Sequence, residues 1–334
     1  MNSMTRRRLI KTLFCSSVAL ELNLLTAIGR AAETLEPKKS GTLDLLAFGD
    51  FGSGDKNQRL VAQALMNYQK SLSSKVQGLL LLGDNFYGPM PGGVKSSRWK
   101  SDFSDMYPSK NFPVPCWAIL GNHDYHDTAG NEQVQLAYAA SLDRKTRWTM
   151  PGKYYRVDLP AEAPQVTFLM IDTNWEGGIK KDGTQAASMS AGEIAAQATW
   201  LKTQLSSERA PFTVVVGHHP LYSDGAHGDG PALVKNLGPL LERWGVHLYL
   251  CGHDHDLQHL ELDGLRTSFV ISGGGGAGIR PGFKARKGAV MKSSHGFTHL
   301  SIREKRLHVR HLDASGQLFH AFSKGVGHDW KIEA

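Results

Sequence analysis

Five apolar runs in this chain each end, within a few residues, in side chains able to bind metal. FGDFG delivers Asp50, GDNFYG delivers Asp84 and Tyr87, and GNHDYH delivers Asn122 and His123. VVGHHP delivers His218, and CGHDHD delivers His253 and His255. Short continuous apolar runs read as strands buried on both faces, so the polar residues after them fall on loops. If the strands run the same way, all five loops meet along one sheet edge. Sheets of this kind bind ligands beyond the carboxyl ends of their strands.

The rest of the pattern supports such a sheet. Apolar runs at 43–49, 77–82, 115–120, 165–171, 212–217 and 246–250 predict strands, with helical stretches near 57–70, 131–141, 190–205 and 231–243. The third helix opens with Ser190 and Glu193 at capping-box spacing, and Ile194, Trp200, Leu201 and Leu205 share one face. Strand–helix alternation implies an α/β fold with a largely parallel sheet. From about 266 to 325 the chain alternates more strictly, as in GFTHLSI and RLHVRHL, which predicts antiparallel strands forming a second sheet packed on the first. A single domain over 42–326 is expected, with a polar linker at 33–41 before it and a tail at 327–334 after it. The run Gly273–Gly276 is not followed by the Gly-Lys-Ser/Thr of a phosphate loop and reads as a turn near the site.

A 41% hydrophobic and 21% charged composition belongs to a globular protein, not a disordered one. Of the formal charge of +7, residues 1–32 contribute five basic residues and one acid, leaving about +3 for the remainder. That excess suits an anionic substrate and supplies no basic stripe for nucleic acid. Arg6, Arg7 and Arg8 precede Leu9-Ile10-Lys11, a moderately apolar stretch to Ile28 and the small pair Ala31-Ala32. This is the layout of a signal peptide of twin-arginine type, which implies the twin-arginine export machinery as a partner and a periplasmic or secreted location in a bacterium. Glu21 and Asn23 interrupt the apolar stretch and argue against a stable membrane span. Cys15 lies in the signal, while Cys116 and Cys251 fall at different heights relative to their loops and read as buried thiols without a disulfide.

Taken singly, Asp50 could cap a helix and GNHD could form a turn. Taken together, carboxylate, phenol, amide and imidazole on successive loops describe two metal ions with an open face. One ligand must bridge the pair, and Asp84, with two oxygens, is the candidate. Asp50, Tyr87 and His255 complete a first site that is oxygen-rich and anionic, suited to a hard trivalent ion. Asn122, His218 and His253 complete a second, suited to divalent iron, zinc or manganese.

These segments resemble those of the calcineurin-like metallophosphoesterases and, within them, the purple acid phosphatases. LGDNFYG, GNHD, the stretch from VVGHHPLYS to GHDHDLQHL, and VISG are similar to the small mammalian tartrate-resistant type, and the likeness spans about residues 43–300. The resemblance implies a four-layer α/β/β/α sandwich of two mixed sheets flanked by helices. Most of the superfamily begins Asp-x-His, but the position after Phe51 is Gly52, and Tyr87 supplies the replacement ligand as in purple acid phosphatases. The exchange implies Fe(III) in the first site.

The activity implied is hydrolysis of small phosphomonoesters by attack of a metal-bound hydroxide, with an acidic optimum. A phosphodiesterase or pyrophosphatase would use the same pair of ions, and a non-catalytic metal- or phosphate-binding surface protein is the reading from another class. The resemblance makes His123 and His227 candidates for the general acid, and Asn122, His123, His219 and His227 candidates for contact with substrate. It also marks departures. Ala226 stands where the mammalian enzymes carry Glu, His219 stands where they carry Tyr, His126 adds an imidazole, and Ala232 replaces a cysteine.

Overall fold

Residues 42–141, 146–177, 186–280, 285–303 and 305–334 are described by the computed structural model. The signal segment and the linker at 33–41 lie outside the described residues. In chain order the strands are β1 (Leu43–Phe48), β2 (Gly78–Leu81), β3 (Cys116–Ala118), β4 (Trp148–Thr149) and β5 (Tyr155–Leu159). They continue with β6 (Val166–Met170), β7 (Phe212–Val216), β8 (Leu248–Cys251), β9 (Leu257–Leu260) and β10 (Ser268–Ser272). The last five are β11 (Ala289–Lys292), β12 (Gly296–Arg303), β13 (Arg306–Asp313), β14 (Leu318–Gly325) and β15 (Trp330–Ile332). The described α-helices are α1 (Lys56–Ser71), α2 (His123–His126), α3 (Asn131–Ala140), α4 (Ala191–Ser206), α5 (Pro231–Asn236) and α6 (Gly238–Arg243).

Two mixed sheets result. One has eight strands in the order β15-β14-β13-β12-β1-β2-β3-β4, and the other has seven in the order β11-β9-β10-β8-β7-β6-β5. Strands β1 to β4 run parallel, as do β6, β7, β8 and β10. This corrects the expectation of a single sheet edge: the carboxyl ends that bear the five motifs come from β1, β2 and β3 of one sheet and β7 and β8 of the other, brought together because the two sheets stack.

Alternation along β1 shows why the sheets stack. Leu43, Leu45 and Ala47 face the second sheet, meeting Phe168, Val214, Val216 and Leu250. Leu46 and Phe48 point the other way, into a core that includes Val61, Ala62 and Leu65 of α1. The outer face of the second sheet packs Leu169, Val215 and Tyr249 against Leu201 and Leu205 of α4 and against Leu233 and Leu241 of α5 and α6. Helix, sheet, sheet and helix make four layers, with central strands such as β1, β2, β6, β7 and β8 buried on both sides.

Local signals act as their chemistry requires. Ser190 and Glu193 form the reciprocal capping box of α4, with Ser190 N–H donating to Glu193 Oε2 at 2.8 Å. Asp55, not Asp50, caps α1, accepting from the amides of Asn57 and Gln58. The helix expected over 231–243 is interrupted at Leu237, where Pro239 at the start of α6 has no amide hydrogen for a continuous helix. Cys116 and Cys251 are buried free thiols on separate sheets. No described helix is long and apolar enough to cross a membrane.

The tail strands correct one expectation. They do not build the second sheet: β12, β13, β14 and β15 extend the first sheet antiparallel from the open edge of β1, with Leu43 opposite Ile302. Only β10 and β11 of that region join the second sheet. The segment 327–334 contributes β15 as an edge strand.

At the end of β1 remote from the motif loops, Asp44 fastens β1 to β12. Its fully buried carboxylate accepts from Arg303 Nη2 at 2.6 Å, from His299 Nε2 at 2.9 Å and from the Ser74 hydroxyl. Burial alone would raise the Asp44 carboxyl, but the bonds from His299 and Ser74 outweigh it and hold it below the usual carboxylate range. Burial also holds His299 below its ordinary value, so it bonds as a neutral imidazole and Arg303 carries the countercharge. A carboxyl lowered on folding adds stability that is complete above its unfolded pKa of about 3.9 and is lost as pH falls through the lower folded value. Asp44→Asn should cost about 2–4 kcal/mol near pH 6 in urea unfolding. The gap to wild type should close below about pH 4.

Candidate metal centre

Each of the five motifs places its first candidate ligand directly after a glycine: Gly49-Asp50, Gly83-Asp84, Gly121-Asn122, Gly217-His218 and Gly252-His253. The loops crowd so closely that a side chain does not fit at these glycines. A Cβ on Gly121 would run into the amide and carboxylate of Asp84, and one on Gly252 into Asp50 Oδ2. Three of the candidate ligands themselves adopt left-handed backbone, Asp50 at φ 57°, Asp84 at 51° and His253 at 71°. For a residue with a Cβ this costs roughly 1–2 kcal/mol each, strain of the kind held at functional sites.

The donor atoms fall into two groups. In the first, Tyr87 Oη lies 3.3 Å from Asp50 Oδ1, 3.1 Å from Asp84 Oδ2 and 3.3 Å from His255 Nε2. In the second, Asn122 Oδ1 lies 3.1 Å from His218 Nε2 and 2.9 Å from His253 Nδ1, and the two nitrogens are 3.3 Å apart. Asp84 belongs to both, because its other oxygen, Oδ1, is 3.5 Å from His218 Nε2. Ligands about 2.0–2.2 Å from one ion stand about 3.0–3.5 Å from each other, so both groups have the spacing of a coordination shell.

Electrostatics point the same way. Asp50 and Asp84 are 0% and 1% exposed, and among the described residues their ion partners are imidazoles, not Lys or Arg. Burial drives the Asp50 carboxyl well above its usual range. Burial, then the charges of Asp84 and Asp50, push the Tyr87 phenol far up as well. Burial would lower His218, yet the two carboxylates overcome it and raise His218 to about 10, while the same imidazole holds Asp84 low. Burial and then the neighbouring rings of His219 and His218 keep His253 neutral. Two carboxylates, a phenol and a neutral imidazole packed this way call for cationic charge between them.

Backbone carbonyls fix the imidazoles. His218 Nδ1 donates to Leu82 O at 2.8 Å and His255 Nδ1 to Gly278 O at 2.7 Å, aiming each Nε2 at its group. The Gly273–Gly276 turn lies under Asp50, with Gly275 N–H donating to Gly49 O at 3.0 Å and Ala277 N–H to Asp50 O at 2.8 Å.

The other expected residues ring the opening. His123 bonds Asp127 Oδ1 through Nδ1 at 2.9 Å, and its ring lies 4.4 Å from that of Tyr87. His227 stacks on His253 at 4.0 Å and bonds Asp254 Oδ1 through Nδ1 at 2.8 Å. His219 sits 4.4 Å from the His253 ring, held by Thr173 Oγ1 at 2.9 Å. His126 stands further out, its ring 6.4 Å from that of His123.

Several supporting residues were not singled out from the sequence. Buried Asp124 accepts the amides of Gly121 at 2.8 Å and Asn85 at 3.1 Å, latching the Asn122 turn to the Asp84 loop. Burial, then the charge of Asp84, raise its carboxyl to about 7. Arg98 Nη1 donates to Tyr87 O at 2.7 Å and Nη2 to Gly52 O at 3.0 Å, clamping the Tyr87 loop. The available signal for Asp124 and Asp254 was their place beside a histidine in GNHD and GHDHD; nothing local marked Arg98.

Residues 43–257 match the calcineurin-like phosphoesterase family. The chain is 33% identical over 296 residues to tartrate-resistant acid phosphatase type 5 of Mus musculus, covering 83% of this chain and 88% of that protein. It is 30% identical over 312 residues to purple acid phosphatase 7 of Arabidopsis thaliana, covering 90% and 91%. Among solved structures it superposes on GAP50, the anchor in the inner membrane complex of Plasmodium, with TM-score 0.70 at 22% identity, covering 84% and 87% of the two chains. It also superposes on purple acid phosphatase PPD1 of yellow lupin with TM-score 0.63 at 15% identity, covering 86% and 54%. The chain belongs to the calcineurin-like phosphoesterases and, within them, to the purple acid phosphatases, hydrolases built around a two-metal centre.

Replacing Asp84 by Ala removes the carboxylate that faces both donor groups. Metal analysis after gel filtration should find both ions lost, whereas Asp50→Ala should deplete the first group selectively. Gly121→Ala should lower the unfolding midpoint by several degrees, because its Cβ displaces Asp84.

Proposed function

We propose that the protein is an exported phosphatase that hydrolyses small phosphomonoesters at a mixed-metal centre. The observation that carries this reading is the sharing of Asp84 between two donor groups of different chemistry. Asp50, Asp84, Tyr87 and His255, with three anionic oxygens, suit Fe(III); Asp84, Asn122, His218 and His253 suit divalent Fe, Zn or Mn. When bound, the ions supply Lewis-acid polarisation of the phosphate and of the attacking water.

The chain's own residues handle position and protons. His219 and His227 flank His253 of the second group, His123 stands beside Tyr87 of the first, and together with Asn122 they bind the phosphate oxygens. His123 is the general acid: Asp127 holds its Nδ1–H, which directs Nε2 as the proton-carrying edge for the leaving alkoxide. His227 grips the phosphate, its ring fixed by Asp254 beneath and by stacking on His253. The Arg6–Lys11 segment supports export by the twin-arginine machinery to the periplasm or beyond, a route that suits a metal centre loaded before secretion.

The test is aerobic purification followed by metal analysis, a visible spectrum and turnover. One iron and one divalent ion per chain, a violet tyrosinate band lost in Tyr87→Phe, and faster hydrolysis of p-nitrophenyl phosphate than of its bis ester are expected. A colourless protein with two divalent ions would remove the ferric assignment, and preference for the bis ester would remove the monoesterase one. His123→Asn should cut kcat about 10²–10⁴-fold with little change in metal content. Lysines at positions 6 and 7 should leave the precursor in the cytoplasm; unchanged export would sink the twin-arginine reading.

A further inference from the structure

A guanidinium that neither the expected ligand set nor the proposed mechanism uses stands at the mouth of the centre. Arg280 Nη1 rests against the imidazole of His227, 3.0 Å from Nδ1 and closer still to Nε2. A nitrogen this close to both ring nitrogens lies off the Nε2 lone-pair axis, so the guanidinium touches the ring itself, while Nδ1 faces Asp254. Among the described residues no carboxylate lies within ion-pair distance of Arg280. The nearby acids are engaged elsewhere: Asp254 by His227 and Ser223, and Asp256 by Gln258 Nε2 at 2.9 Å. Ala226, beside His227 on the same rim, is exposed and uncharged.

The placement is built, not incidental. The chain just before Arg280 is pinned by the bond from His255 to Gly278 O at 2.7 Å. Beyond it, Arg286 Nη2 reaches Asp229 Oδ1 at 2.8 Å and Ser223 O at 2.9 Å, and Arg286 N–H reaches Asp224 Oδ2 at 2.6 Å. The first anchor ties the chain before Arg280 to His255, and the second ties Arg286 to the loop that bears His227. A guanidinium resting on an imidazole ring gains little, and a planar fork of donors gains far more from phosphate or carboxylate oxygens. The ring of His227 separates Arg280 from His253, so the guanidinium stands one side chain further out than the groups around the scissile phosphate.

We propose that Arg280 binds a second anionic group of the substrate, beyond the scissile phosphate, and so directs this phosphatase toward phosphoesters or anhydrides that carry a further negative charge. The assignment rests on the hydrolase reading above for its catalytic consequence but not for its binding consequence, and the two are measured apart. Metal-loaded wild type, Arg280→Ala and Arg280→Lys would be titrated calorimetrically with methylenediphosphonate and with methylphosphonate, neither of which is hydrolysed. Wild type should bind the diphosphonate at least about tenfold more tightly than the monophosphonate; Arg280→Ala should lose that margin and Arg280→Lys keep part of it. In turnover, Arg280→Ala should lower kcat/KM for pyrophosphate about tenfold more than for p-nitrophenyl phosphate, through KM. Unchanged metal content and unfolding midpoint would exclude a folding defect. A margin retained in Arg280→Ala, absent in wild type, or lost equally from both ligands would overturn the proposal. Wild type that turns over neither substrate while keeping the margin would remove the phosphatase reading and leave the anion site standing.

Discussion

The geometry of the centre depends on one buried carboxylate that serves two neighbours. Asp84 turns Oδ2 toward Tyr87 and Oδ1 toward His218, and in that position it is almost wholly removed from water. A carboxylate there stays ionised only with positive charge beside it, which His218 supplies on the Oδ1 side. Its left-handed backbone, the glycines that let Gly121 and Gly83 approach it, and the Asp124 latch behind it all hold those two oxygens in place. Loosening any of them blurs both donor groups at once.

The scaffold supplies this through direction rather than through special loops. Parallel strands from two stacked sheets end together, and the sandwich core between them is apolar and close-packed. Rigid strand ends then bring residues as far apart as Asp50 and His255 to within 3.5 Å. Helices on the outer faces bury the remaining apolar surface and leave the loop edge open. The same fold occurs in a protein described as an anchor and in one described as a phosphatase, so the sandwich alone does not specify chemistry. The donor set does.

Around the donors, the two candidate proton-handling histidines occupy different settings. His123 has a single carboxylate at Nδ1 and faces Tyr87 of the first group. His227 faces Asp254 at Nδ1, has Arg280 against its ring, and covers His253 of the second group. Two imidazoles of similar intrinsic basicity are thereby set up for separate tasks by what each nitrogen touches.

Chemistry carried by neighbours in sequence was determined by the sequence itself. Apolar runs of strand length, a glycine and then a ligand are local facts, and they specified the strands and the candidate residues Asp50, Asp84, Tyr87, Asn122, His218, His253 and His255, but not that their loops come from two sheets. Ser190 and Glu193 marked the start of α4 for the same reason, since a capping box involves a single turn. The tertiary structure decided what depends on partners distant along the chain. Alternation announced β12 to β14 as strands but not that they would pair with the free edge of β1, because a strand's pattern records which faces are buried and not which edge it meets. The Asp124 latch, the Asp254 and Arg280 contacts on His227, and the clamp of Arg98 on the Tyr87 loop likewise appear only after folding. Each depends on the distance and orientation between two loops, and no stretch of sequence encodes those alone.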